Sequence, residues 1–227
     1  MAGRLSSARK VLGVAGLCAV VWLGAPPLLR GLEFFRVRRV QITGLQYLEP
    51  SKVIAALRLS PKASVFDDPA PLARRVLALP GITSAEVGRN VPGTLLIEVN
   101  EAVPVALALR GDALTMVDAG GRVLPFDPVA SAPDLPLAAA DGVVARALDL
   151  VRDSDLDLFG RIDAAWRVGP DVVLEVDGRR LWFGARVSAE DIRAVMAVAQ
   201  ALARQGRTYQ ELDGRFAGQV IVRGARA

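Results

Sequence analysis

The sequence predicts an α+β protein with a single N-terminal transmembrane helix followed by two domains. Three observations lead to this prediction. Residues 11–29 form an uncharged apolar stretch, residues 37–105 carry strand and helix signals in the order β-α-α-β-β, and residues 106–227 have mainly antiparallel strand patterns with flanking helices. Roughly 200 residues follow the apolar stretch, which suits one large or two small domains.

The apolar stretch contains 19 residues and no charge. A helix of this length covers about 28 Å, close to the roughly 30 Å hydrocarbon core of a bilayer. A cleaved signal peptide and a buried core helix are the alternatives, but Leu23-Gly24-Ala25 is a poor cleavage site and no polar face interrupts the stretch. We therefore expect an uncleaved anchor, whose anchoring residues include Val11, Leu17, Val21, Trp22 and Leu28.

The charges beside this stretch do not decide its orientation. Three basic residues precede it and four follow it closely, so the positive-inside rule favours neither side. We expect the chain to divide into a stub of residues 1–10, a helix of residues 11–29, a juxtamembrane linker of residues 30–36, and domains of residues 37–105 and 106–227. The stub is too short to carry a function, which must therefore belong to the two domains.

The composition excludes several classes of enzyme. The chain has no histidine and one cysteine, Cys18, which excludes Ser-His-Asp and Cys-His triads, a histidine general base and a zinc site of the usual ligands. No glycine-rich phosphate loop occurs, and we expect neither a cofactor nor a metal. Because the net charge of +4 is spread along the chain, a mixed solvated surface is favoured over a nucleic-acid site.

Each element of residues 37–105 has a local signal. Prolines and acidic residues mark the starts of two helices, and alternating apolar residues mark the strands. The expected elements are a strand at residues 37–42, helices that begin at 49–51 and 67–68 and stop at 60–61 and 80–81, and strands at 82–89 and 94–100 around a turn at 90–93. We expect both helices to lie on one face of a three-stranded sheet.

Residues 106–227 are predicted to form strands interrupted by two helices. The strongest local signals are Asp177-Gly178, which is typical of a hairpin turn, and Ser188 with Asp191, which resembles a capping box. The expected elements are strands at 106–109 and 115–117, a hairpin at 117–124, a proline-rich loop at 127–136, a helix at 143–151, strands at 161–168, 172–176 and 180–183, a helix at 188–204, and a last strand within 213–223.

Three motifs then carry a family resemblance. Residues 87–106 fit the pattern V-x-R-x-W-P-x-x-L-x-I-x-V-x-E-x-x-P-x-A except for Val91 at the Trp position, residues 117–123 fit V-D-x-x-G-x-V, and residues 213–216 fit acid-x-Arg-aromatic. In this order the motifs resemble the bacterial division family FtsQ, also called DivIB, with its POTRA domain at residues 37–105. The resemblance covers about residues 35–222, which is most of the chain.

The resemblance implies a non-catalytic bitopic protein of the divisome. Its N-terminus would be cytoplasmic, its bulk would lie outside the inner membrane, and it would be enriched at the septum. It implies that an FtsB-like protein, paired with an FtsL-like one, adds a strand at the C-terminal edge, and that other septal membrane proteins bind the POTRA domain. The partner-binding residues would be Glu101, Pro104, Arg215, Phe216, Gly218, Gln219, Val220, Ile221 and Val222.

The roles of these residues have competing interpretations. With the resemblance, Phe216 is an aromatic anchor and Arg215 a bidentate donor to a partner carboxylate. From the residues alone, Arg215 is a surface ion pair, Phe216 a core residue, and Glu101 a strand-end residue beside a hinge that Pro104 would fix.

The sequence leaves two rival functions open. One is a POTRA-bearing component of an outer-membrane or secretion translocation machine, although such proteins usually carry repeated POTRA units or a barrel. The other is a membrane-anchored cell-wall enzyme that uses carboxylates, for which the densest acid cluster is Asp153, Asp155 and Asp157. Alternating Asp residues more often solvate a turn, so the sequence favours the division protein.

Overall fold

The computed structural model describes residues 32–131, 134–216 and 218–224. The predicted anchor, residues 11–29, lies outside the described residues, as do its anchoring residues. Within the described ranges, no helix combines the length and apolarity that a membrane span requires. The chain separates into two compact units, with the division between Glu101 and Ala102.

The first unit has the predicted order β-α-α-β-β after a short 3-10 turn at Glu33–Phe35. Its elements are β1 (Arg39–Thr43), α1 (Pro50–Leu57), α2 (Ala70–Leu77), β2 (Ile82–Asn90) and β3 (Thr94–Glu101). Among the described residues these strands form a three-stranded sheet in the order β1-β3-β2, which we call the small sheet. In it, β1 is parallel to β3, and β2 is antiparallel to β3.

Local chemistry explains the ends of the two helices. Pro50 opens α1, where its missing N–H costs little, and Arg58 ends it in the left-handed conformation with φ of 47°. The Asp68 carboxylate accepts the N–H of Ala70 at the start of α2. Both predicted helix ends, at residues 60–61 and 80–81, were too late, because α1 ends at Leu57 and α2 ends at Leu77. The core beneath the helices contains Val53, Leu57, Val76, Leu95, Ile97 and Val99.

The second unit is built on one large sheet. Its strands are β4 (Pro104–Arg110), β5 (Ala113–Asp118), β6 (Val123–Leu124), β7 (Leu137–Ala138), β8 (Ile162–Val168), β9 (Asp171–Val176), β10 (Arg179–Phe183), β11 (Glu211–Phe216) and β12 (Gln219–Arg223). In the described part of the chain their order is β12-β11-β10-β9-β8-β7-β4-β5-β6. The sheet is mainly antiparallel, as predicted, with parallel pairs at β10–β11, β4–β7 and β7–β8.

The structure corrects two further predictions for this unit. The proline-rich loop of residues 127–136 contains a one-turn helix, α3 (Pro128–Ser131), whose start is capped by the Asp127 carboxylate. Residues 213–223 form the hairpin β11–β12 and not one terminal strand, because Gly218 adopts φ of 71° and reverses the chain. Arg215 and Phe216 therefore lie on β11, one strand inside the sheet edge.

The helices of the second unit cover one face of the large sheet. They are α4 (Gly142–Ser154), α5 (Leu156–Phe159) and α6 (Ala189–Arg204). The predicted capping box of α6 is confirmed, since Ser188 and Asp191 each accept the other's backbone N–H. Buried side chains of α4 and α6 join the strands in a single core cluster.

Gly214 sets how closely α6 approaches β11. A Cβ atom at Gly214 would lie 2.5 Å from Cγ2 of Val195, which is completely buried on α6. No side chain fits at this distance, so α6 packs directly on the backbone of the hairpin.

We expect Gly214→Ala to destabilise the second unit by about 1–3 kcal/mol, because the added methyl group overpacks the contact with Val195. Gly184→Ala is the matched control, since a Cβ atom at Gly184 meets nothing within 4 Å. Urea unfolding of both variants measures the difference, and equal stability of the two would contradict this account of the packing.

Candidate functional site

The candidate site is the terminal hairpin of β11 and β12 at one end of the large sheet. Within the described residues, β12 pairs with β11 on one side and has no strand on its other side. Asp213 is in register with Trp182 of β10 on one side and with Ile221 of β12 on the other. The backbone of β12 is thus available for pairing, whereas that of β11 is not.

Arg215 and Asp213 form the best-defined ion pair of this hairpin. The Nε and Nη2 atoms of Arg215 donate to the two carboxylate oxygens of Asp213 at 2.8 and 2.7 Å. Its Nη1 atom donates to Asp171 of β9 at 2.8 Å, and its guanidinium carbon lies 4.9 Å from the ring centre of Trp182. Arg223 of β12 donates to Asp213 as well, at 3.1 Å. One guanidinium therefore links β11 to β9 across the indole of β10.

The pKa directions follow from this geometry. The hydrogen bonds from Arg215 lower the pKa of Asp213, and they outweigh the opposing effect of burial on a carboxyl with no exposed surface. The same contacts, with Asp171, raise the pKa of Arg215. Both groups stay charged across the physiological range.

The structure therefore changes the role predicted for Arg215. Its three donor atoms already bind Asp213 and Asp171 of the same chain. They are therefore not free to form a bidentate bond with a partner carboxylate. Its ion pair is partly buried and links strands, so it is not the simple surface pair that the residues alone suggested.

The remaining predicted residues of the hairpin divide between two environments. Phe216 is 49% exposed and Ile221 is 39% exposed, while Gly218 and Gln219 are also at the surface. Val220 and Val222 are half-buried and pack against the core cluster. The alternative of Phe216 as a core residue was wrong. Phe216 lies in register with Gln219 of the edge strand β12, next to the turn of the hairpin.

Glu101 and Pro104 lie elsewhere and serve their own units. The carboxylate of Glu101 accepts the backbone N–H groups of Gln46, Tyr47 and Leu48 at 2.8–2.9 Å, which closes the loop after β1. Pro104 is buried at the start of β4, in register with Asp118. Neither residue offers a free group to a partner, because the Glu101 oxygens are occupied and the Pro104 ring is covered.

Sequence reasoning missed a row of mostly aromatic and apolar side chains, with one carboxylate among them, on the face of the large sheet opposite the core cluster. The strand registers place Trp166, Val173, Trp182, Asp213 and Ile221 side by side across five strands. Val173 is completely buried, although it points away from the core cluster. The available signal was the run of consecutive apolar residues in β9 and β10, which is typical of strands that are apolar on both faces. Such a run shows no alternation between apolar and polar residues, so it does not tell which side chains face the core cluster.

Two of the three acids considered for an enzyme have structural partners. Asp155 caps α5 by accepting the N–H of Leu158, and Asp153 lies 3.6 Å from Arg152. Among the described residues, no group of three or more His, Cys, Asp or Glu side chains is arranged to hold a metal.

Comparison with known proteins now places the chain in a family. A model of the FtsQ-type POTRA domain matches residues 35–102. The cell division protein FtsQ of Rhodothermus marinus is 30% identical over 92% of this chain and 83% of its own length. The chain belongs to the FtsQ family of cell division proteins. It therefore has a role in bacterial cell division, and its first unit is a POTRA domain.

Other relatives agree with this assignment. FtsQ of Syntrophotalea carbinolica is 27% identical over 75% of this chain and 57% of its own length, and FtsQ of a Jannaschia species is 31% identical over 83% and 63%. Among solved structures, the extracytoplasmic domain of the division protein DivIB from Geobacillus stearothermophilus has 18% identity, a TM-score of 0.34, and coverage of 46% of this chain and 97% of that chain. This score is too low to support an argument about the fold.

We expect Glu101→Ala to destabilise the POTRA domain by about 1.5–3 kcal/mol, since three backbone N–H groups lose a charged acceptor. Glu98→Ala, an exposed change on the same strand, is the control. Urea unfolding compares the two variants, and a Glu101 variant as stable as the Glu98 variant would show that the loop after β1 does not depend on this carboxylate.

We expect Asp213→Asn to lower the unfolding free energy by about 3 kcal/mol at neutral pH. This value is at the low end of the cost of breaking a buried ion pair, because Arg215 would still be paired with Asp171. The folded-state pKa of Asp213 lies below its unfolded value. The stabilisation is therefore fully present above about pH 4 and is lost as the pH falls further.

Urea unfolding as a function of pH measures this effect, with the exposed change Asp163→Asn as the control. The gap between the native chain and the Asp213 variant should close in acid. A gap that is independent of pH would contradict the proposed linkage.

Proposed function

We propose that this chain is a non-catalytic, single-pass membrane protein of the divisome that binds FtsB- and FtsL-like proteins by strand addition at β12. The observation that carries the proposal is the position of β12 at the end of the large sheet, with one side unpaired in the described part of the chain. An extended partner segment can continue the sheet there through main-chain hydrogen bonds.

The side chains at this edge would supply the specificity. Ile221 on β12 and Phe216 on the strand behind it present exposed apolar surface, and Gln219 adds a polar group. An exposed aromatic ring beside a strand-pairing edge is the kind of residue that dominates interface energies. We propose Phe216 as the anchor, with Gly218, Gln219, Val220, Ile221 and Val222 as the strand on which the partner pairs.

In this proposal Arg215 is a positioning residue. Its bonds to Asp213 and Asp171 hold β11 against the strands behind it. Phe216 follows Arg215 directly, so the ion pair fixes the place from which the ring projects. A rigid edge loses little conformational freedom when a partner strand is added.

The membrane part of the proposal rests on residues 11–29 as the span and residues 1–10 as a cytoplasmic stub. The POTRA domain and the second unit would then lie outside the inner membrane at the septum, where the POTRA domain binds other septal membrane proteins. Partners anchored in the same membrane meet at a raised effective concentration, so a modest edge interaction suffices.

We expect Phe216→Asp to weaken co-purification of FtsB- and FtsL-like proteins from crosslinked membranes by at least about 30-fold, the loss typical of an interface anchor. Leu109→Asp is the matched control, because Leu109 is a 71% exposed residue on β4 of the same sheet. Thermal unfolding of both variants checks that they remain folded. Retained binding by a folded Phe216 variant would overturn the assignment of the edge.

A further inference from the structure

The beginning of the POTRA domain carries exposed apolar and basic side chains that the proposed function does not use. We define the tip as residues 32–39 together with residues 89–93, the end of β2 and the turn that follows it. Three of its large apolar residues are at least half exposed, namely Leu32 at 50%, Phe34 at 59% and Val91 at 55%. Three exposed large apolar side chains on two adjoining segments make the tip a candidate interaction surface.

The fold brings the two parts of the tip together. The backbone N–H groups of Arg38 and Arg39 both donate to the carbonyl oxygen of Gly93, at 2.8 and 3.2 Å. A Cβ atom at Gly93 would lie 2.7 Å from the carbonyl oxygen of Arg36, so the two segments are in direct backbone contact. The turn that carries Val91 is therefore held beside the N-terminal segment, although the two are far apart in sequence.

The tip is firmly attached to the domain. The Phe35 ring packs edge-on against Phe66 with centroids 4.9 Å apart, and the N–H of Val65 donates to the Phe35 carbonyl at 3.0 Å. The Arg38 guanidinium donates to the Phe34 carbonyl at 3.2 Å and closes the 3-10 turn. Phe34 is thus presented outward from a fixed backbone.

Positive charge prevails in the tip. Within the described residues, Arg38, Arg39 and Arg89 form no ion pair with a carboxylate, whereas Arg36 is paired with Glu33 at 2.9 Å. Arg38 and Arg89 instead lie over the rings of Phe34 and Phe66 at 6.0 and 5.6 Å.

Two further acids lie in the loop beside Phe66, and backbone N–H groups already engage both. Asp67 accepts the N–H of Ser64, and Asp68 accepts that of Ala70. Neither of these carboxylates forms an ion pair with an arginine of the tip, and the tip itself carries four arginines and one acid, so its own net charge is positive.

We propose that the tip docks on the anionic lipid headgroups of the membrane that holds the chain. This inference rests on the proposed single-pass topology, because residue 32 follows the apolar stretch of residues 11–29 by only three positions. Arginines attracted to anionic lipid and an aromatic residue at the headgroup level are the usual signs of interfacial binding. Docking would set the POTRA domain at a defined orientation on the bilayer.

The decisive position is Val91, because only the fold brings it to the membrane. The full chain with Cys18→Ala and Val91→Cys would carry an environment-sensitive dye at position 91. It would be reconstituted in two kinds of vesicle, one of phosphatidylcholine alone and one of phosphatidylcholine and phosphatidylglycerol in equal parts. We expect headgroup-labelled quenching lipids to quench the dye in the anionic vesicles. A dye at Leu77→Cys, which is also exposed but is the last residue of α2 and not part of the tip, should stay unquenched.

The charge requirement gives a second measurement on the same vesicles. Arg39→Gln and Arg89→Gln should each lower the ratio of docked to undocked chain about fivefold, and Arg74→Gln on α2 should leave it unchanged. Raising the salt from about 0.1 M to 1 M, which shortens the Debye length from about 10 to 3 Å, should release the tip.

The outcomes distinguish failure of the single-pass topology from failure of the lipid docking. If alkaline extraction removes the chain from the vesicles, the single-pass topology fails and the docking fails with it. If the chain resists extraction but the dye at position 91 is not quenched, the docking alone is overturned. Equal quenching in both kinds of vesicle would overturn recognition of anionic lipid, and quenching that appears only after a partner protein is added would overturn docking by the tip itself.

Discussion

The buried carboxylate of Asp213 is the interaction on which the candidate site depends. It accepts hydrogen bonds from Arg215 on its own strand and from Arg223 on the edge strand. Arg215 continues across Trp182 to Asp171, so the charge network ties the last strands to β9. An edge strand frays easily because it forms backbone hydrogen bonds with only one neighbouring strand. In β12, side-chain hydrogen bonds add to the backbone bonds with β11. The free edge is thereby kept in a fixed place, which a strand-pairing site requires.

The same edge is protected from unwanted pairing. Arg223 projects from β12, and Gln219 and Gly218 interrupt the apolar surface beside Phe216. Charged and polar side chains on an edge strand discourage indiscriminate sheet extension. In the proposed interface, a partner would have to match the few apolar positions that remain, and Arg215 would contribute only by supporting β11.

The POTRA domain is secured at both ends by bonds to backbone groups. Glu101 closes the loop after β1, and the residues before β1 are pinned by the carbonyl of Gly93. These contacts fix the N-terminal segment beside the turn after β2 and fix the loop after β1 against the end of β3.

The sequence alone determined the elements whose signals are local. The capping box at Ser188 and Asp191, the Asp177-Gly178 turn and the β-α-α-β-β order all follow from neighbouring residues, and the family motifs are equally local. Only the tertiary structure decided which strands pair and which side chains meet. The parallel pairing of β10 with β11, the hairpin within residues 213–223 and the bond from Arg215 to Asp171 join residues far apart in the chain or depend on the strand alongside. The sequence gives the charge of an arginine but not the groups that surround it in the fold. It therefore cannot tell an arginine that binds a partner from one that binds a buried carboxylate of its own chain.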